Sequence, residues 1–241
     1  VVKERKINGG YEYNVSNIEY TDFKVFNIED MPSEEGSRYS KFPSNTNTLF
    51  VDLQAVEEAS KKDPLPGITI NLKNSYIEEG RELKAGRLEL LMQSIADNFV
   101  ESFSQKMTKG TYSTFSSFIT KNIRRKTISV IKNPYVEGQN IVDTPLGAYM
   151  DVSHNFRDIL FNYCRFDLPR EPSAEEFIKD GPSFFCYLNP MIGPVYNDIG
   201  KKIFGGKIIK GSELRLDLAE CEIRDLFLDG SLLIYGYTAN P

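Results

Sequence analysis

Two neighbouring segments of the sequence are the most informative about its fold. They are Lys207-Ile-Ile-Lys-Gly-Ser-Glu-Leu-Arg-Leu-Asp-Leu218 and Ile223-Arg-Asp-Leu-Phe-Leu-Asp-Gly-Ser-Leu-Leu-Ile-Tyr235. Short apolar runs with alternating side chains follow one another here and are broken by Gly211 and Gly230. Alternation over four to eight residues is typical of strands, and no helical period persists in this part of the chain. The stretch therefore predicts a small sheet or the first coils of a β-solenoid.

Before Gly206 the pattern is different, because predicted strands are mixed with predicted helices. Ile68 to Leu72 alternates like a strand. Apolar residues recur at helical spacing in three segments, Asp52 to Lys62, Leu88 to Phe103 and Tyr149 to Tyr163, and Ser173-x-x-Glu176 has the form of a capping box that opens a further short helix. We therefore predict an α/β core over residues 1–205 and a separate β element over residues 206–241.

Composition excludes several classes of protein. The chain has 241 residues, with 29 Lys and Arg against 34 Asp and Glu and a net charge of -5, so it lacks the positive excess of a nucleic-acid-binding protein. No apolar run approaches the roughly 20 residues of a membrane helix, so we expect no membrane partner. The three cysteines are odd in number and widely spaced, which favours buried free thiols over a disulfide framework or a metal site.

The chemistry available to the chain is narrow, because His154 is its one histidine. A His-based triad, a Cys–His pair or a His/Cys zinc site is not easily built within such a chain. The Asn-rich loop Ser44 to Thr48 suits either the reading of sugar hydroxyls or a turn capped by Asx hydrogen bonds. Basic residues flank the predicted strand Thr127 to Ile131 and fit either a phosphate site or a charged strand edge. They are Lys121, Arg124, Arg125, Lys126 and Lys132.

Four segments, in this order and spacing, resemble the UDP-sugar pyrophosphorylase family. Asn17-Ile-Glu-Tyr-Thr-Asp22 is similar to the V-E-Y-S-[DE] motif, and Asn45-Thr-Asn-Thr-Leu-Phe-Val-Asp-Leu53 is similar to N-T-N-N-L-W-V-N-L. Arg87-Leu-Glu89 falls where the family has L-E or M-E at the start of a helix. Thr127-Ile-Ser-Val-Ile-Lys-Asn133 resembles F-S-P-L-K-N, followed by a D-[NT]-P motif at Asp143 to Pro145. The segment from Gly193 to Ile234 looks most like the plastid and bacterial branch of the family, whose best-known member supplies UDP-glucose for sulfolipid synthesis.

The resemblance implies a fold and roles for individual residues. It implies a glycosyltransferase-A-like (Rossmann-like) nucleotidyltransferase core followed by the start of a β-helix. Glu19 and Asn45 match positions that bind the ring hydroxyls of the sugar substrate, and Asn47 and Glu89 are further candidates for the same pocket. Lys132 matches the catalytic lysine that contacts the phosphates. The glycine-rich nucleotide loop of the family is not found in this sequence, so we expect the UTP-binding part and the ligands of Mg2+ to precede it, and this chain alone to be inactive.

The activity implied is the formation of a UDP-sugar and pyrophosphate from UTP and a sugar-1-phosphate, with Mg2+. The Asn-Thr-Asn segment favours glucose-1-phosphate, while the Ser-Val-Ile-Lys-Asn segment is closer to the N-acetylglucosamine branch, and galactose-1-phosphate is a further alternative. Two readings from other classes stay open, namely an inactive homologue serving as a structural subunit and a sugar-phosphate-binding regulator. The compartment implied is the plastid stroma for a photosynthetic eukaryote and the cytoplasm otherwise, and an exposed β-helix end leaves oligomerisation open.

Overall fold

A computed structural model describes residues 1–37 and 40–236 of the chain. The fold is mixed α/β, as predicted, and it divides into two compact units, Val1–Lys121 and Asn122–Pro241, called here the first and the second unit. None of the described helices has both the length and the apolar character needed to cross a membrane.

The first unit contains a three-stranded antiparallel sheet, an isolated hairpin and one α-helix. Its elements are β1 (Val2–Ile7), β2 (Gly10–Val15), α1 (Leu53–Lys62), β3 (Ile68–Glu78), β4 (Arg81–Leu90) and β5 (Glu101–Phe103). The sheet has the order β1-β2-β5, and a turn at Gly9, whose φ is 86°, joins the first two strands. The predicted helix over Asp52 to Lys62 is confirmed as α1, which begins where the Asp52 carboxylate accepts the N–H of Ala55 at 2.9 Å.

The predicted helix over Leu88 to Phe103 is wrong. Leu88 lies in β4, where it pairs with Ile70 of β3, and Met92–Asn98 forms a 3-10 helix that leads into β5. The apolar spacing is compatible with a helix, but β3 pairs with Arg81–Leu90 and holds these residues in an extended conformation. Leu88 is 77% exposed, so its side chain lies at the surface of the hairpin and not in a core.

The described residues of the second unit form three helices and six short strands. Its elements are α2 (Pro145–Asp158), continued as a π-helix over Ile159–Tyr163, then β6 (Phe166–Asp167), α3 (Ala174–Asp180), β7 (Phe185–Leu188), α4 (Tyr196–Lys202), β8 (Ile203–Ile208), β9 (Glu213–Asp217), β10 (Ile223–Leu228) and β11 (Ser231–Tyr235). The helix predicted over Tyr149 to Tyr163 and the capping box of Ser173 with Glu176 are both confirmed. The strand predicted over Thr127 to Ile131 is wrong, because none of the described strands pairs with this segment and a 3-10 turn at Arg124–Lys126 precedes it.

The strands of the second unit form two parallel sheets, with the orders β10-β8-β6 and β11-β9-β7. Successive coils stack in register, so that Ile223 lies beside Ile203 and Leu232 beside Leu214. Alternate side chains point inward, and those of Ile203 and Leu214 are completely buried. This is the strand pairing of successive β-helix coils, as the sequence predicts for its tail.

Glycine allows the coils of this stack to approach closely. Gly206 has a φ of 131°, and a Cβ placed on it would lie 2.1 Å from the carbonyl oxygen of Leu226 in the next coil. β6 and β7 precede residue 206 and join the same two sheets. The division between residues 1–205 and 206–241 that the sequence suggests stays a prediction.

Candidate functional site

Glu19 follows β2 and is held by two amide side chains. Asn17 Nδ2 donates to Glu19 Oε1 at 2.6 Å, and Gln93 Nε2 donates to the same oxygen at 3.3 Å. Glu19 is half-buried, whereas Gln93 is buried. Among the described residues nothing bonds Oε2, so this carboxylate oxygen is the one left to accept a hydrogen bond from a ligand.

The segment that supplies Gln93 is itself tied to the antiparallel sheet. Asp97, in the same 3-10 helix, accepts hydrogen bonds from Lys3 Nζ at 2.7 Å and from Asn14 Nδ2 at 3.0 Å. Burial alone would raise the pKa of Asp97, but hydrogen bonds to its ionised form outweigh this and hold the pKa below its usual value. The carboxylate therefore stays charged at neutral pH and keeps the helix against β1 and β2.

Asn45 and Asn47 bond to each other in an exposed loop. Asn45 Oδ1 accepts the backbone N–H of Asn47 at 3.0 Å, and Asn45 Nδ2 donates to Asn47 Oδ1 at 2.9 Å. Asn47 has a φ of 56°, a left-handed conformation that asparagine tolerates better than most residues. The loop therefore has the Asx-type capping that the sequence allows as one alternative. The amide nitrogen of Asn47 has no partner among the described residues, which leaves a donor facing solvent.

Glu89 lies on the isolated hairpin, whereas Glu19, Asn45 and Asn47 lie on loops. It occupies β4 opposite Thr69 of β3 and is half-buried. The four candidate residues of the first unit thus come from three places, namely the loop after β2, the loop before α1, and the hairpin. Among the described residues Glu19 bonds neither Asn45 nor Asn47, so these three side chains do not form one hydrogen-bonded cluster.

Lys132 lies in the second unit, on a loop fixed by its backbone. The N–H groups of Lys132 and Asn133 both donate to the carbonyl oxygen of Asp143, at 2.8 and 3.1 Å. Asp143 has a φ of 61°, and the next residue, Thr144, begins α2 by accepting the N–H of Gly147 at 3.2 Å. Two of the sequence segments on which the resemblance rests are thereby joined in space. The Lys132 side chain is exposed and has no partner among the described residues.

The other cations of the Arg124–Lys132 segment are neutralised by carboxylates. Arg124 donates to Asp143 Oδ1 at 2.8 Å, and Arg125 and Lys126 both pair with Asp158 Oδ2 of α2, at 2.6 and 3.1 Å. Burial would raise the pKa of Asp158, but its hydrogen bonds with these two cations lower it. Lys132 is therefore the member of the Arg124–Lys132 segment whose charge is left for a ligand.

Two concave features, one in each unit, are lined by residues other than the candidates. A cleft of about 190 Å³ in the first unit is lined by α1, by Asn98 to Glu101 and by Ser116. In the second unit His154, Arg157 and Glu171 line a cavity of about 10 Å³, room for one water molecule. The described residues contain no group of three or more His, Cys, Asp or Glu side chains that could hold a metal ion.

Sequence reasoning missed Gln93 and the part that Asn17 plays. Asn17 belongs to a quoted segment, but its spacing does not reveal that it bonds Glu19. Gln93 is 74 residues from Glu19 in the chain, and its pairing depends on the fold. As predicted, Cys164, Cys186 and Cys221 are free thiols, but of these three only Cys164 is buried and the other two are half-buried.

Two comparisons identify relatives of the chain. The family described as "UGP3-like, C-terminal hexapeptide repeats" matches residues 203–239, which include β8 to β11. A curated chloroplast protein of Arabidopsis thaliana, UTP--glucose-1-phosphate uridylyltransferase 3, is 32% identical over 99% of this chain. The chain belongs to the UDP-sugar pyrophosphorylase family.

Membership of this family supports a nucleotidyltransferase and is in line with the stacked coils of the second unit. The chain spans about 28% of the length of the curated relative. No solved structure matches, so the glycosyltransferase-A-like core stays a prediction.

Proposed function

We propose that the protein containing this chain transfers a uridylyl group from UTP to a sugar-1-phosphate, with glucose-1-phosphate as the first choice. The observation that carries the proposal is the state of Lys132. Its backbone is fixed to the carbonyl oxygen of Asp143, and its charged side chain has no partner among the described residues. A fixed loop with a free ammonium group suits the binding of phosphate oxygens, which attract point charges.

The reaction needs little from the protein besides positioning and charge. A phosphate oxygen of the sugar-1-phosphate attacks the α-phosphorus of UTP, the bond from that phosphorus to the bridging oxygen breaks, and pyrophosphate leaves. The attacking oxygen is already anionic, so no protein nucleophile or histidine base is required. Catalysis then rests on orientation and on neutralising the charge that develops on the phosphates, which is the part we assign to Lys132.

Recognition of the sugar falls to Glu19 and Asn45, with Asn47 and Glu89 in support. The free Oε2 of Glu19 can accept from a hydroxyl, and the exposed amides of the Asn45–Asn47 pair can both donate and accept. A substrate that lacks the hydroxyl leaves such a polar group unpaired, which costs about 1–3 kcal/mol of binding free energy. A pocket of this kind selects its sugar by that difference.

Mg2+ belongs to the proposal as the cation that accompanies UTP. No metal-binding group of three or more His, Cys, Asp or Glu side chains is found in the described part of the chain, so no residue here is assigned to Mg2+ and no step depends on it. UTP and the sugar-1-phosphate are the proposed partners. The relative is named as a chloroplast protein, and we propose the plastid as the compartment for a plant protein of this sequence.

The proposal is tested by measuring pyrophosphate release from UTP by the full-length gene product, with glucose-1-phosphate, N-acetylglucosamine-1-phosphate and galactose-1-phosphate in parallel. We expect turnover with glucose-1-phosphate above that with the other two sugars, and none without a sugar-1-phosphate. The 241-residue chain by itself is expected to release none. Folded full-length protein that turns over none of the three would contradict the proposal. If it nevertheless bound a sugar phosphate it would be a regulator, and otherwise a structural subunit.

A further inference from the structure

The carboxylate of Glu19 is held at one oxygen and left open at the other. Asn17 Nδ2 and Gln93 Nε2 both donate to Oε1, at 2.6 and 3.3 Å, while Oε2 has no partner among the described residues. Two donors on one oxygen restrict the position of the group. They leave its second oxygen available to a ligand.

Neutral donors suit this arrangement better than cations would. A carboxylate in an ion pair with lysine or arginine shares its charge with that partner and is a weaker acceptor for a third group. Asn17 and Gln93 carry no charge, and none of the described cations pairs with Glu19. Hydrogen bonds to a charged acceptor are roughly twice as strong as neutral ones, so an unneutralised Oε2 discriminates strongly between a hydroxyl and a hydrogen atom.

Gln93 is placed to act on Glu19 from a rigid support. It is 8% exposed, and the 3-10 helix that carries it is tied to β1 and β2 through Asp97, which accepts from Lys3 and Asn14. A buried amide on an anchored helix has few alternative rotamers, so its N–H stays directed at Glu19.

We propose that Gln93, together with Asn17, is a positioning residue that orients Glu19 Oε2 toward one ring hydroxyl of the sugar-1-phosphate and so sets the sugar specificity of the enzyme. This inference rests on the proposed function. Neither residue touches the reacting atoms. Their effect passes through Glu19, and it is confined to substrates that carry the hydroxyl in question.

The test combines a protein variant with an altered substrate. In the full-length gene product Gln93→Met removes the donor and keeps the length of the side chain. Gln54→Met is the matched control, because Gln54 Nε2 also donates to a glutamate oxygen at 3.3 Å, that of Glu58, on the exposed surface of α1. Pyrophosphate release is measured with UTP and with glucose-1-phosphate or its 2-, 3- and 4-deoxy analogues, giving kcat and KM for each.

In the wild type and in Gln54→Met we expect one deoxy analogue to lose about tenfold or more in kcat/KM, because it leaves Oε2 of Glu19 unpaired in the complex. In Gln93→Met that loss should fall to about two- to threefold, with the KM for UTP unchanged. General damage lowers the rate with every substrate equally and leaves the ratio between substrates as it was, so the ratio reports positioning alone.

Asn17→Ala is the second variant, since Asn17 is only half-buried and its removal leaves the buried side of the unit intact. We expect it to reduce the same discrimination, and it decides the question if Gln93→Met does not fold. Turnover of glucose-1-phosphate with the same deoxy ratio in the wild type and in every folded variant at these two positions would overturn the inference and leave the proposed function standing. No turnover by the wild type would overturn both.

Discussion

The stacked coils of the second unit and the hairpin β3–β4 of the first are both built from strands with apolar residues. The coils bury these side chains, whereas the hairpin exposes them. In the coils Leu214 and Leu216 are completely buried, and their neighbours above and below are equally apolar. On the hairpin Leu88 is 77% and Ile70 60% exposed, although the two residues pair directly across the strands.

The difference lies in how many layers each arrangement supplies. Two parallel sheets, each of three strands, face one core and cover each other's apolar residues. Two antiparallel strands alone have no second layer, and a lone hairpin is marginally stable in water. Among the described residues of the first unit, the buried apolar side chains are Tyr13, Ala59 and Met107, and none belongs to the hairpin. Periodicity alone therefore does not tell how deeply a strand is buried.

The largest effect that separates the two regions is expected from truncating one leucine in each. Leu214→Ala removes a completely buried side chain between β7 and β11 and should lower the free energy of unfolding by about 2–5 kcal/mol. Leu88→Ala, the matched control on the hairpin, should change it by less than about 0.5 kcal/mol. Urea denaturation of the purified chain measures both. Equal losses would show that the hairpin is packed in solution.

A smaller effect is expected at the start of α3, where Glu176 completes the capping box. The Arg170 guanidinium and the N–H of Ser173 hold the pKa of Glu176 at about 2. A lowered pKa means that the ionised group stabilises the fold above its unfolded value of 4.5, and that this contribution is lost as the pH falls toward 2. Glu176→Gln should therefore lower the melting temperature at pH 7, and its difference from the wild type should shrink between about pH 4.5 and 2.

The control for this measurement is Glu175→Gln, which changes the neighbouring carboxylate of the same helical turn. Glu175 has no partner among the described residues, so Glu175→Gln should lower the melting temperature at pH 7 by less than Glu176→Gln does. A difference between Glu176→Gln and the wild type that stays constant from pH 7 to pH 2 would show that the charge of Glu176 contributes nothing to the cap.

The same comparison explains what the sequence could predict about the fold. The tail was predictable because its strands are short, regular and interrupted by glycines, and because each coil packs on the next one along the chain. The helix over Leu88 to Phe103 failed, since its apolar spacing fits a helix while Ile70 of β3 supplies a strand partner for Leu88. The strand over Thr127 to Ile131 failed for the converse reason, because β-branched residues favour a strand but none of the described strands pairs with them.

At the candidate site, the family resemblance selects Lys132 as the residue that contacts the phosphates. The fold adds that its side chain, unlike those of its basic neighbours, has no carboxylate partner among the described residues. Sequence alone leaves Arg124, Arg125 and Lys126 as equal candidates for a phosphate, because their carboxylate partners lie up to 33 residues away. Gln93 could not have been found either, since it meets Glu19 only once the 3-10 helix is seated on the sheet. Partners distant in sequence are what a pattern of neighbours cannot show.

The proposed role of Lys132 in binding the phosphates is tested by replacing this residue in the full-length gene product and measuring pyrophosphate release from UTP and glucose-1-phosphate. Lys210→Ala, at an exposed lysine of the second unit, is the control. We expect Lys132→Ala to lower kcat/KM by about 10²–10³-fold, because it removes one group that neutralises developing charge, while Lys210→Ala stays close to the wild type. A folded Lys132→Ala protein with wild-type turnover would show that Lys132 does not act on the phosphates.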